Sequence, residues 1–205
     1  MAFLSEREKQ QIAAAIAAVE QHTRGELVTV IARCSDEYRY IPLLWAALLA
    51  LLVPALLAAF DNPFPGDLAY LAQICTFLGA AALFQWLPLK MRLIPPAVKK
   101  LRARRRAREQ FFLQNLHRTR ERTGVLLFVS VAEHYVEILA DEGINEAVAP
   151  QAWQAIVSDF IGRIRERQVA AGFLAAITAS GELLATHFPA TDDNHNELPN
   201  RLVEL

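Results

Sequence analysis

The chain has 205 residues, 54% of them hydrophobic and 21% charged, with a formal net charge of -1. That length allows one or two domains, and so apolar a chain with an ordinary charge content must concentrate its apolar residues in segments. Two cysteines, Cys34 and Cys75, are too few and too far apart for a disulfide framework or a cysteine metal site.

The N-terminal "MAFLSEREKQ" packs four charges into Glu6–Lys9, where an export signal would begin its apolar region, so no exported N-terminus is expected. Ser5 and Glu8 have capping-box spacing. Ile12, Ile16 and Val19 then recur at helical spacing, which predicts a helix over about Ser5–His22. A turn at Thr23–Gly25 leads to "ELVTVIA" (Glu26–Ala32), which reads as a strand.

Two uncharged segments follow. "IPLLWAALLALLVPALLAAF" (Ile41–Phe60) has 20 residues and "LAYLAQICTFLGAAALFQWLPL" (Leu68–Leu89) has 22. Roughly 20 apolar residues suffice to cross a bilayer core. Two membrane helices are expected; the alternative is a pair of helices buried in a soluble core, which would have to be apolar on every face. The segment between them, "DNPFPGD" (Asp61–Asp67), carries two carboxylates and no base. Arg24, Arg33 and Arg39 precede the first segment. Lys90, Arg92, Lys99, Lys100, Arg102, Arg104, Arg105, Arg106 and Arg108 follow the second. Basic outer flanks around an acidic turn predict a hairpin in a bacterial inner membrane, with both termini in the cytoplasm. The basic cluster would then lie against anionic headgroups of the bilayer. Nucleic-acid binding is the other use for such a run, but it lacks interleaved aromatic residues and any recognition motif.

Pro95 and Pro96 end the second span, and a basic helix follows, with Phe111, Phe112 and Leu116 for packing. "VLLFVSV" (Val125–Val131) reads as a strand covered on both faces. "YVEILAD" (Tyr135–Asp141) reads as its antiparallel partner across a turn at Glu133-His134. Pro150 opens a helix with Trp153, Ile156, Val157, Phe160 and Ile164 on one side; a further helix carries Val169, Phe173, Ile177 and Leu184. The tail "PATDDNHNELPNRLVEL" has no sustained period and is expected to be loosely ordered.

Neither polar part can bury a core alone. The expected organisation is one α/β domain in two halves, residues 1–40 and 95–188, interrupted by a membrane hairpin at 41–94 and trailed by a tail at 189–205. Together "REKQQIAAAIAAVEQHTRGELVTVIA", "RTGVLLFVSVAEHYVEILADEGINEAV" and "AWQAIVSDFIGRIRERQVAAGFLAAITASGELL" resemble the TPM-domain family. The resemblance implies a three-layer α/β sandwich with a small mixed sheet. It also implies roles associated with that family: acid phosphatase activity, calcium binding, and assembly or repair of membrane complexes. Many members carry Asp or Asn just before the Gly of the Gly-Val-Leu strand; here Thr123 stands there, after Arg122, so an acidic ligand is missing.

Asp141, Glu142 and the nearby Glu146 form the best carboxylate cluster, at a strand end where sheet proteins place ligands. Such oxygen-rich groups suit Ca²⁺ or Mg²⁺, although any solvated loop has a similar composition. Glu26 and Glu137 are expected to be solvated or paired with arginine. Ser130 and Ser180 have no base beside them in sequence, and His134 reads as a polar turn residue. "DDNHNE" (Asp192–Glu197) has metal-like composition with nothing to fix its geometry. Two functions remain: a non-catalytic accessory or regulatory module for a membrane complex, and a divalent-metal-dependent phosphatase.

Overall fold

The computed structural model describes residues 4–59, 66–166, 168–191 and 196–205. The chain divides into two compact units, one of Met1–Ser35 with Lys100–Leu205 and the other of Asp36–Lys99.

In the first unit, Ser5 caps helix α1 (Glu6–Glu20). Its Oγ accepts the Glu8 N–H at 3.3 Å, and its own N–H donates to Glu8 Oε2 at 2.7 Å. This reciprocal pairing satisfies helix-end donors that would otherwise face water. Ile12, Ile16 and Glu20 form the buried side of α1. Strand β1 (Glu26–Ala32) follows, buried along its whole length.

The second unit contains α2 (Tyr40–Ala59), α3 (Gly66–Leu83) and α4 (Leu87–Leu93). Helices α2 and α3 pack on each other. The second apolar segment is broken: α3 stops at Leu83, and α4 restarts with Pro88 in its first turn and Lys90 and Arg92 in its last. Trp86 is extended, with ψ 121°, and caps α4, where Pro88 sits in the first turn and its missing N–H leaves no helical bond unmade. Most of the acidic turn between α2 and α3, residues 60–65, lies outside the described residues.

Helix α5 (Pro96–Leu113) leads back to the sheet, with Ala103, Ala107, Gln110 and Phe111 on its buried side. The small alanines let the helix axis come close to the strands. Strand β2 (Gly124–Ser130) pairs parallel to β1, with Glu26 opposite Gly124 and Ala32 opposite Ser130. Strand β3 (Tyr135–Ala140) returns antiparallel to β2, as the alternating pattern predicts. His134 closes that hairpin in the left-handed region, with φ 52°.

Three helices complete the unit: α6 (Glu142–Ala147), α7 (Pro150–Arg165) and α8 (Val169–His187). Leu27, Ile31, Val125, Leu127 and Val129 face α1, α7 and α8 on one side of the sheet. Val28, Val30, Leu126 and Phe128 face Ala107 and Phe111 of α5 on the other. Covering on both faces is why β1 and β2 are apolar at nearly every position. Helix α8 crosses its neighbours at two glycines. A Cβ on Gly172 would stand 2.3 Å from the Phe160 ring, and one on Gly181 would stand 2.5 Å from Val19 Cγ1.

The tail supplies a strand that periodicity did not reveal. β4 (Leu202–Glu204) pairs parallel to β1, giving the order β3-β2-β1-β4 among the described residues. Three residues are too few to show alternation. The strand is held by long-range partners instead: Leu205 N–H donates to Ile31 O at 2.9 Å, and Lys9 pairs with Glu204 at 2.8 Å.

Three described helices are long and apolar enough to cross a membrane: α2, α3 and α8. They differ in what surrounds them. Helix α8 buries Phe173, Ala176, Ile177 and Leu184 in the main core, whereas α3 buries only Ala80.

Candidate functional site

The expected carboxylate cluster is split by burial. Asp141 precedes α6 as its cap: Oδ1 accepts the Glu142 N–H at 2.8 Å, while its backbone N–H donates to Gly124 O at 2.9 Å. Its other oxygen, Oδ2, is buried with no hydrogen-bond partner. Glu142 and Glu146 are exposed, and Glu142 pairs with Arg122 at 3.5 Å. Among the described residues, no group of three or more His, Cys, Asp or Glu side chains is arranged to hold a metal ion. Thr123 Oγ1, just before Gly124, donates to Arg24 O at 2.9 Å. Of the "DDNHNE" stretch, residues 192–195 lie outside the described residues.

A second pair of carboxylates, Glu20 and Glu26, is buried. Glu20 accepts the Leu27 N–H at 3.0 Å, and burial pushes its pKa up to about 8, with the Glu26 charge adding to the rise. Glu26 accepts the N–H groups of Glu197 and Leu198 at 3.0 and 3.1 Å, and burial raises its pKa too. It is therefore buried rather than solvated, and among the described residues no arginine pairs with it. It is an anchor for the tail, and a lone carboxylate in a strand gives no sequence signal of backbone partners contributed 171 and 172 residues later.

At the far end of β1 and β2, another polar cluster forms from residues distant in sequence. Ser130 Oγ donates to Glu133 and accepts from Ser35 Oγ at 2.8 Å. Glu133 also accepts the Ser35 N–H at 2.9 Å and the Cys34 thiol at 3.3 Å. Ser130 thus has a carboxylate beside it after all, brought round by the tight turn, but the serine is fully buried. Neither Cys34 nor Cys75 forms a disulfide among the described residues.

The basic run divides between elements. Lys90 and Arg92 end α4, while Lys99 to Arg108 lie on α5. Arg105 and Arg106 pair with Glu109 on the same helix, at 3.1 and 3.4 Å. Arg104 reaches Glu137 of β3 at 3.6 Å, and the charges of Arg104, Arg108 and Lys100 all act on that carboxyl. Burial raises the Glu137 pKa; the Tyr135 hydroxyl and these three cations oppose the rise. Burial, followed by the Glu137 charge and the hydrogen bond to it, pushes the Tyr135 phenol up. Beside this group, Arg108, Phe111, Phe112, Leu139 and Ala140 line an open cavity of about 270 Å³.

A TPM domain matches residues 95–183. The TPM match takes in α5, β2, β3, α6, α7 and most of α8, and so includes Asp141 and the basic face of α5; α1, β1 and β4 lie outside it. The fold is similar to the NMR structure of the BA42 protein from the psychrophilic bacterium Bizionia argentinensis. The TM-score is 0.64 at 20% identity, covering 100% of this chain and 97% of that one. No curated protein matches the chain in sequence.

Proposed function

We propose that this protein is a two-span membrane protein whose TPM-like domain faces the cytoplasm and acts as a non-catalytic accessory or regulatory binding module for a membrane complex. One observation carries the anchoring. Only 22% of the apolar window of α2 and 6% of that of α3 is buried by the rest of the chain, against 39% for α8. Leu44, Trp45, Leu51, Leu52, Ile74 and Leu78 are among the side chains left exposed. Large contiguous apolar surface on a chain in water marks a binding or membrane face. Lys90 and Arg92 at the end of α4 and Lys99 at the start of α5 would meet anionic headgroups at the cytoplasmic leaflet, worth ~1 kcal/mol each near the surface.

The test is extraction of bacterial membranes containing the full chain. Retention in the pellet at alkaline pH, with reporters at both termini active only in the cytoplasm, is the expected result. Release into the wash would remove the anchor. For the module, affinity capture from native membranes should return a reproducible partner set, and its absence would count against this reading.

A metal-assisted phosphatase using Asp141, Glu142 and Glu146 with Ca²⁺ or Mg²⁺ is the second reading. It is favoured by one atom, the buried and unpartnered Asp141 Oδ2. The three carboxyls fit a metal poorly, since two are exposed and one of these is paired with Arg122. Phosphate-ester hydrolysis that requires the cation and disappears in Asp141→Ala/Glu142→Ala would establish it. Equal rates in both proteins would end it.

A further inference from the structure

Strand β3 is the end strand of the sheet, and no described strand pairs with its outer side. Asp141 N–H bonds to Gly124 O of β2. Antiparallel alternation therefore turns the backbone groups of Leu139, Glu137 and Tyr135 toward β2, and those of Val136 and Ile138 toward the open edge. Such an edge is a template for another strand unless something blocks it. The outward carbonyl of Ala140 is taken by Asn145 Nδ2 at 2.6 Å, so the free stretch stops there.

The floor beside this edge has a definite chemistry. Tyr135, Glu137 and Leu139 alternate onto the face covered by α5. Lys100, Arg104 and Arg108 stand at successive turns of α5, with Glu137 as the carboxyl on which all three act. Three cations around one carboxyl leave a net positive groove. One step along the strand, the groove becomes apolar, walled by Phe111, Phe112 and Leu139 around the cavity of about 270 Å³. Phe112 is 59% exposed even though the His117 and Phe111 rings stand 5.2 and 5.9 Å from it, so a large apolar face is left to water.

We propose that the α5–β3 groove binds an extended acidic peptide segment, which adds to β3 as a further strand and sets a carboxylate by Arg104 and Arg108 and a large apolar side chain against Phe112 and Leu139. Main-chain bonds to Val136 and Ile138 would supply affinity, and pockets for alternate side chains would supply specificity. Glu137 and Leu139 are two residues apart, so the partner needs its acid and its apolar residue two apart. Charge complementarity selects the acid, and the open backbone edge selects a peptide over a lipid headgroup, which has no main chain to pair.

This inference deepens the binding-module reading and rests on it. Its test uses the full chain in neutral phosphatidylcholine nanodiscs and a fluorescein-labelled nine-residue peptide with Glu and Leu two apart; a second peptide has Lys in place of Glu. Saturable binding of the acidic peptide is expected, lowered about tenfold or more by Arg104→Glu/Arg108→Glu and weakened by Phe112→Ala. Both changes are at exposed positions of α5, and an unchanged melting temperature would exclude misfolding. Hydrogen exchange supplies the signature: the peptide should slow exchange at the Val136 and Ile138 amides, while Glu137 and Leu139, already paired, stay as they were. Equal binding of both peptides, no binding, or binding without protection at Val136 and Ile138 overturns the proposal. So does binding that goes instead to phosphatidylserine nanodiscs and is lost in the same variant, which would assign the groove to lipid. If affinity capture returns the same partners with Arg104→Glu/Arg108→Glu, the module reading stands and only the groove is lost.

Discussion

Glu20 and Glu26, from neighbouring elements, hold buried carboxyl groups at the entry to β1, and each is committed to backbone N–H groups of another segment. Glu20 fastens the start of the strand to α1. Glu26 fastens the tail that ends in β4. Two carboxyls so placed cannot both ionise without cost.

Stability should therefore fall as pH rises. Burial raises the Glu20 pKa from 4.5 to about 8, and Glu26 shifts in the same direction. The folded state binds these protons more tightly than the unfolded chain, so their contribution is fully present below the unfolded value and is lost as pH rises through the folded one. A thermal scan between pH 5 and about pH 8 should show a falling melting temperature. Glu20→Gln, which keeps an acceptor for the Leu27 N–H, should remove most of that slope. A slope unchanged in the variant would assign the titration to other groups.

Glu26→Ala should free the tail. The substitution leaves the N–H groups of Glu197 and Leu198 without their acceptor, a loss of about 1–3 kcal/mol if they stay buried. The chain can escape much of that loss by letting β4 leave β1. Faster hydrogen exchange at Leu205, whose N–H bonds to Ile31 O, with little change at β2, is the expected outcome.

Gly181→Ala should destabilise the fold by about 1–3 kcal/mol, because the new methyl overlaps the Val19 side chain. Val19→Ala should restore part of the loss when combined with it. A denaturant-unfolding double-mutant cycle measures that coupling. Simple additivity would mean that α1 and α8 shift apart instead.

Asp141→Ala should cost about 0.5–2 kcal/mol through loss of the cap. If Asp141 has only that role, Ca²⁺ will leave the melting temperature of both the parent and the variant unchanged. A Ca²⁺-dependent rise in the parent alone would return weight to the metal site.

Much of the sheet was legible because β1, β2 and β3 are short apolar runs bounded by Gly25, Gly124 and the His134 turn, and because burial on both faces leaves little room for polar residues. The capped start of α1 was legible from Ser5 and Glu8 alone. Three features were not. β4 is three residues long and exists only because β1 offers an edge. Glu26 looked like a surface carboxylate because its partners are N–H groups, which every residue carries. The Ser130–Glu133–Ser35 cluster needs the ends of β1 and β2 to lie side by side.

Sequence by itself determined the first three strands, the longer helices of the α/β unit, the two long apolar segments and the basic run, since these depend on local periodicity and composition that no fold can alter. Tertiary structure decided what each charge does. It drew Asp141 into a cap and left Glu142 in solvent. It buried Glu20 beside Glu26, and set Glu137 under three cations of α5. The energy of a charge depends on its burial and its neighbours, and both are properties of the packed chain.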